Sequence, residues 1–109
     1  MTYSNLSPAA LSAILALGVT DFIVSSNWNC DPVVGIRWLF RFSNGYAASV
    51  VKHSDSYGNN EDLWELAVKD RKNKICHTPV CGDYDKVVGY LTDGGVVKLC
   101  AETAALPVW

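Results

Sequence analysis

Six side chains in this sequence have the chemistry for a metal site or a thiol nucleophile: Cys30, Cys76, Cys81 and Cys100, with His53 and His77. Zinc is gripped by paired Cys or His ligands at short, repeated spacings, because each pair must hold one tetrahedral ion from a tight turn. Cys76-His77 with Cys81 is a single loose cluster without a second pair, so the cysteines read as unmetallated thiols. A Cys–His nucleophile is poorly served too. Cys76 and His77 are adjacent, adjacent strand residues point to opposite faces, and no sharp nucleophile turn or glycine-rich oxyanion loop accompanies them. The expectation is a protein without catalytic residues, metal or cofactor; a thiol or zinc hydrolase stands only as a third reading.

The remaining polar clusters point the same way. Asp83 and Asp85 flank Tyr84, and Glu61-Asp62 close a polar stretch, as turn and rim residues do. Gly94-Gly95 and the single Gly35, Gly58 and Gly89 match no phosphate-cradling pattern.

Composition bounds the class. The 109 residues are half hydrophobic and 11% aromatic, with four Trp and five Tyr, which argues for one folded domain over residues 1–109. Nine basic against eleven acidic residues give a formal charge of −2, without the basic excess of a nucleic-acid-binding domain. No charged side chain occurs in the first twenty residues. Their apolar run, Pro8 to Leu17, is shorter than the ~20 residues of a bilayer span. It also lacks the basic start of an export signal, so a buried helix in a cytoplasmic protein is expected.

The elements that must position any site follow from local signals. Ser7 caps a helix opening at Pro8, Gly18 ends it, and Leu11, Ile14, Leu15 and Leu17 give it an apolar face. Asp21 to Ser26 reads as a short strand. In "WLFRFSNGYAASVV" two strands fold about Asn44-Gly45, which suits a two-residue turn with positive φ at both positions. That register pairs Phe42 with Ala47, Phe40 with Ser49 and Trp38 with Val51. It sorts Trp38, Phe40, Phe42, Ala47 and Val51 to a core side, and Arg37, Leu39, Arg41, Tyr46, Val50 and Lys52 to a wet outer side.

Ser54 to Asp62 is a long polar connection. Leu63 to Lys69 is a third strand with Trp64, Leu66 and Val68 inward and Glu65 and Lys69 outward, which lets Glu65 pair with Arg37, Arg41 or Lys52. Asp70 to Lys74 is a charged turn. Ile75 to Val80 is a short edge strand because of Pro79, and Val87 to Leu91 is a compact apolar segment. Thr92 caps a last helix running to about Leu106. The expected fold is α+β: an antiparallel meander of three to four strands packed against an N-terminal and a C-terminal helix.

Arginine and tyrosine are over-represented where proteins bind proteins. The outer face and the polar connection therefore nominate Arg37, Arg41, Tyr46, Tyr57, Asn59, Asn60 and Glu61 as a partner-binding surface. Direct contact with nucleic acid is not expected, because most aromatics fall on the inner side.

From Trp38 to Cys100 the chain resembles a loose group of small proteins encoded by bacteriophages and prophages, through "FRFSNGYAASVV", "SYGNNEDLWELAV", "TPV" and "VVGYLTDGGVVKL". Gly94-Gly95 departs from the acidic helix start expected in that group. The group lends no catalytic or ligand-binding residues. What the resemblance implies is provenance and a role: a phage protein that occupies and sterically inhibits a bacterial host factor, such as a CRISPR or related defence complex. A self-assembling phage accessory protein, forming a homodimer through exposed strand and helix faces, is the second reading.

Overall fold

The structure, a computed structural model, describes residues 4–27, 34–53, 61–76, 78–81 and 87–108. It is an α+β fold with the order α1 (Pro8–Leu15), β1 (Val19–Asn27), β2 (Val34–Phe42), β3 (Ala47–His53), β4 (Trp64–Lys69), β5 (Val87–Leu91) and α2 (Asp93–Ala104). The sheet has five strands in sequence order, every pair antiparallel, rather than the three or four expected. The extra strand is β1, which the DFIVSS pattern announced only as a short segment and which runs nine residues. Val87 to Leu91 completes the other edge. The edge strand expected over Ile75 to Val80 is absent among the described residues of that stretch: Ile75 makes one bridge to Lys69, and Pro79–Cys81 is a 3-10 turn. A proline there cannot extend a ladder.

The hairpin between β2 and β3 corrects the expected register by one residue. Phe42 N–H donates to the Tyr46 carbonyl and Gly45 N–H to the Phe42 carbonyl, 2.9 and 3.2 Å. The loop is therefore three residues, 43–45, and only Gly45 takes positive φ, +94°. A turn followed by a left-handed glycine makes a bulged hairpin, and the pairing slips accordingly. Phe40 lies opposite Ala48, Trp38 opposite Val50 and Ile36 opposite Lys52. Because side chains alternate, the slip moves all of β3 to the other face. Val50 and Lys52, expected outside, are in the core; Ala47 and Val51, expected in the core, are outside.

The core face is thus built in rows. Phe22, Phe40, Ala48 and Val68 lie side by side, and next to them Val24, Trp38, Val50, Leu66 and Val88. The Trp38 and Phe40 rings stack at 5.5 Å, with Phe22 tilted against both. Small Ala48 beside Phe40 leaves room for the helices, which pack against each other on this side. Ile14, Trp64, Val96 and Cys100 are fully buried there. Burying a large side chain of this kind contributes about 2 to 3 kcal/mol. On α1, Ser7 is the cap as expected, while Leu15 is more than a third exposed and Ala10 shares the buried face with Ile14.

Polar groups close the layers at both ends. Asn44 does not serve the turn alone. Its amide nitrogen donates to the carbonyls of Thr103, Ala104 and Leu106 at 2.8, 3.2 and 3.0 Å, capping the end of α2. At the other end Asp93 accepts from Trp64 Nε1 and from Ser7 N–H, both at 2.9 Å. Asn5 accepts from Trp38 Nε1 at 2.8 Å. Lys52, 2% exposed, lies 4.3 Å from the Trp64 ring centre and donates to the Ser4 carbonyl and to Asp62.

Two outcomes test this account. Replacing Asn44 by Ala leaves helix-end carbonyls unmatched and should cost about 1 to 2 kcal/mol. Asn44→Asp should cost about 1 kcal/mol more at neutral pH, because it sets a carboxylate against the negative helix end. Thermal melts should show the Asp variant recovering toward the Ala variant on acidification. The hydrogen bonds from Ser4 hold the Asp62 carboxyl below its ordinary value of 3.8, with Lys52 adding to the effect. A lowered carboxyl stabilises the fold above that ordinary value and loses its contribution as pH falls through the folded value. Asp62→Asn should therefore be less stable than the parent at pH 7, and urea melts should show the gap closing below about pH 4.

Candidate functional site

The face of the sheet away from the helices has a regular floor. The pairing lays out three rows across the strands. The first runs Asp21, Arg41, Ala47, Lys69, ending at Ile75; the second Ile23, Leu39, Ser49, Ala67, Val87; the third, from β2 onward, Arg37, Val51, Glu65. Charged residues occupy the outer rows and small or apolar ones the middle. Leu39, Ala47, Ser49, Val51 and Ala67 are all buried although α1 and α2 lie on the other side of the sheet. The longer side chains around them form the walls.

These walls enclose shallow hollows. One of about 230 Å³ has Ser49, Val51 and Ala67 as its floor and Arg37, Glu65, Lys69 and Ile75 at its rim. A second, about 170 Å³, lies between Ile23, Leu39, Arg37, Arg41 and Asn73. A third, about 290 Å³, sits at the hairpin end between Arg41, Tyr46, Asp70 and Arg71. Arg37 and Arg41 are the shared walls.

The charge on this face is unbalanced in one place. Arg41 and Lys69 both lie directly opposite Ala47, one on each side, so their strands are about 10 Å apart. Arg41 is held by Asp21 at 2.7 Å. Partial burial, then the nearby Arg37 and Arg41 guanidiniums, lowers the Lys69 pKa below its ordinary value. Among the described residues no carboxylate forms an ion pair with Lys69. The turn that follows keeps Asp70 occupied: its carboxylate accepts from the Lys72 and Lys74 N–H groups.

The structure distributes the nominated residues unevenly. Arg37 and Arg41 share the outer face. Tyr46 lines the hollow at the hairpin end and is half-buried against the core, not displayed on the open face. Glu61 is exposed, but it precedes β4 beside the Asp62–Lys52 pair, at the opposite end of the sheet from Tyr46. Seven strand residues, roughly 20 Å, separate those ends. Lys52 is on the wrong face to meet Glu65. Tyr57, Asn59 and Asn60 lie outside the described residues.

Lys69 shares this face and lines a hollow with Arg37, and it is not among the nominated residues. Its signal was available in its alternation with Glu65 on a strand whose other side reads Trp64, Leu66, Val68.

The described thiols are shielded from solvent to different degrees. Cys81 and Cys100 are buried and Cys76 is half-buried, all three as thiols. Cys76 and Cys81 lie 3.6 and 4.0 Å from the carbonyls of Val68 and Leu66. Burial pushes the Cys100 thiol up to about 12, and burial with the nearby Asp70 raises Cys76. Raised thiols are weak nucleophiles and weak metal ligands. Among the described residues no group of three His, Cys, Asp or Glu could hold a metal ion, and no helix is long and apolar enough to cross a membrane. Cys30 and His77 lie outside the described residues. Compared with protein-family models, curated proteins and solved structures, the chain has no match.

Proposed function

We propose that the protein is a non-catalytic binding scaffold whose outer sheet face receives an acidic segment of a partner protein. The observation that carries this reading is the placement of Lys69. It stands at the rim of the hollow floored by Ser49, Val51 and Ala67, partly buried, near two arginines and, among the described residues, without a carboxylate in an ion pair with it. Such an arrangement costs stability in the free protein and is relieved by a partner that brings negative charge. Small Ala47, Ser49 and Ala67 beneath it let a partner backbone approach closely. Arg37 and Arg41 supply planar donors that suit carboxylates.

The resemblance to phage-encoded proteins supports the wider setting: a phage product that binds a bacterial host factor, in a CRISPR or related defence complex, and inhibits it by occupying its surface. The identity of that host factor rests on the resemblance, whereas the choice of contact face rests on the geometry.

Lys69 separates the two roles of the face. Lys69→Met should leave stability unchanged or raise it by about 0.5 kcal/mol or less, since solvent screens a partly exposed charge. The same change should weaken inhibition. In a bacterium with an active CRISPR system, the parent protein should restore plaques of a targeted phage, and Lys69→Glu should lose about tenfold or more of that effect while melting normally. No restoration by the parent in a panel of such systems would remove the defence setting. Equal restoration by both proteins would remove the proposed contact face.

A further inference from the structure

The two edges of the sheet are treated differently. Proteins normally blunt an edge strand, because its free N–H and C=O groups pair with any available strand. The β5 edge is blunted: it is five residues long, contains Gly89, has Tyr90 at φ +58° and meets β4 through a pairing irregularity. Among the described residues no second strand pairs with β1 beyond β2. The irregularities in that pairing fall at the two ends, between Val19 and Asp21 and between Ser25 and Asn27, leaving Asp21 to Ser25 in regular pairing. That stretch contains no lysine, proline or glycine. Phe22, Ile23 and Val24 are 45%, 52% and 46% exposed, three consecutive large apolar residues on an edge.

We infer that this edge pairs with the same edge of a second copy. Adjacent antiparallel strands related by a twofold must share an axis normal to the sheet, so both copies keep their helices on one side. Centring the axis on Ile23 places Ile23 against its own copy on the outer face. Phe22 then lies against Val24 on the helix side, a large residue beside a smaller one, which extends the Phe22–Trp38–Phe40 ring cluster across the seam. Charge permits this register. Asp21 comes opposite Ser25 rather than its own copy, and it is already neutralised by Arg41. The three side chains would bury roughly 500 Å² between two copies, below the standard size of a stable interface, with a short row of backbone hydrogen bonds added. The product is a concentration-dependent dimer with its two outer faces coplanar. It goes beyond the contact face proposed above and does not depend on it.

Sedimentation velocity on the full chain from about 1 to about 500 μM tests this, since an interface of this size implies a micromolar or weaker dissociation constant. The mass should rise from monomer to dimer and stop there. Ile23→Lys and Val24→Lys, each checked by thermal melting, should raise the dissociation constant about tenfold or more, as a charge buried at a seam does. Tyr90→Lys at the other edge should leave it unchanged. Monomer across the whole range, growth beyond the dimer, or a dimer insensitive to both β1 substitutions would each overturn the inference. Hydrogen exchange gives a second readout that does not need variants: β1 amides should gain protection at high concentration and β5 amides should not.

Discussion

The backbone of Gly45, at φ +94°, decides what each face of the sheet is made of. By adding one residue to the loop it turns Val50 and Lys52 toward the helices and Ala47, Ser49 and Val51 away from them. Every later feature uses that choice. Lys52 reaches Ser4 and Asp62 only because it points inward, and the outer floor is shallow only because β3 presents Ala47 and Ser49 there. Gly45 has a second constraint: the Arg71 guanidinium lies about 2.8 Å from where a Cβ would be. A side chain at 45 would have to adopt a strained φ and displace Arg71 together.

The same hairpin is joined to the far end of the chain. Asn44 collects three carbonyls at the end of α2, so the turn and the last helix hold each other in place. At the opposite end Asp93 in the first turn of α2 accepts from Trp64 of β4 and from the cap of α1, linking three elements through one carboxylate. The helix is thereby tied at one terminus to the β2–β3 loop and at the other to β4. Gly94 and Gly95 weaken its first turn, yet Thr92 accepts from Gly95 N–H and Asp93 complements the positive helix end. Tertiary ties replace the missing propensity.

Much of this order could be read from residue pattern alone. Ser7-Pro8, Thr92 and the alternation of Trp38, Phe40 and Phe42 marked both helix starts and the core strand, because each is a local signal with a local cause. The β3 register was misread because Asn-Gly fits both a two-residue and a bulged three-residue loop. The choice turns on Asn44, whose amide is needed at a helix sixty residues away. Lys52 was placed in water for the same reason: a lone cation on an apolar strand betrays nothing of the Trp64 ring and the Ser4 carbonyl that receive it. The make-up of the outer face was partly visible: strand alternation places Arg37 and Arg41 there, as the pairing has them, whereas grouping Glu61 with Tyr46 ignores the length of β3 between them.

The outer face is hard to explain as a device for stability. Its middle row is small or apolar, and its cations Arg37, Arg41 and Lys69 lie on one face. A sheet that needed only to fold would be better served by longer aliphatic residues at 47, 49 and 67, or by a carboxylate facing Lys69. On the other side the same strands carry tightly matched aromatic and aliphatic rows with their polar ends tied off. Two faces of one sheet, built from alternate residues of the same strands, thus follow different rules. The helix side is organised around closure, and the open side keeps shallow hollows rimmed by Arg37, Arg41 and Lys69.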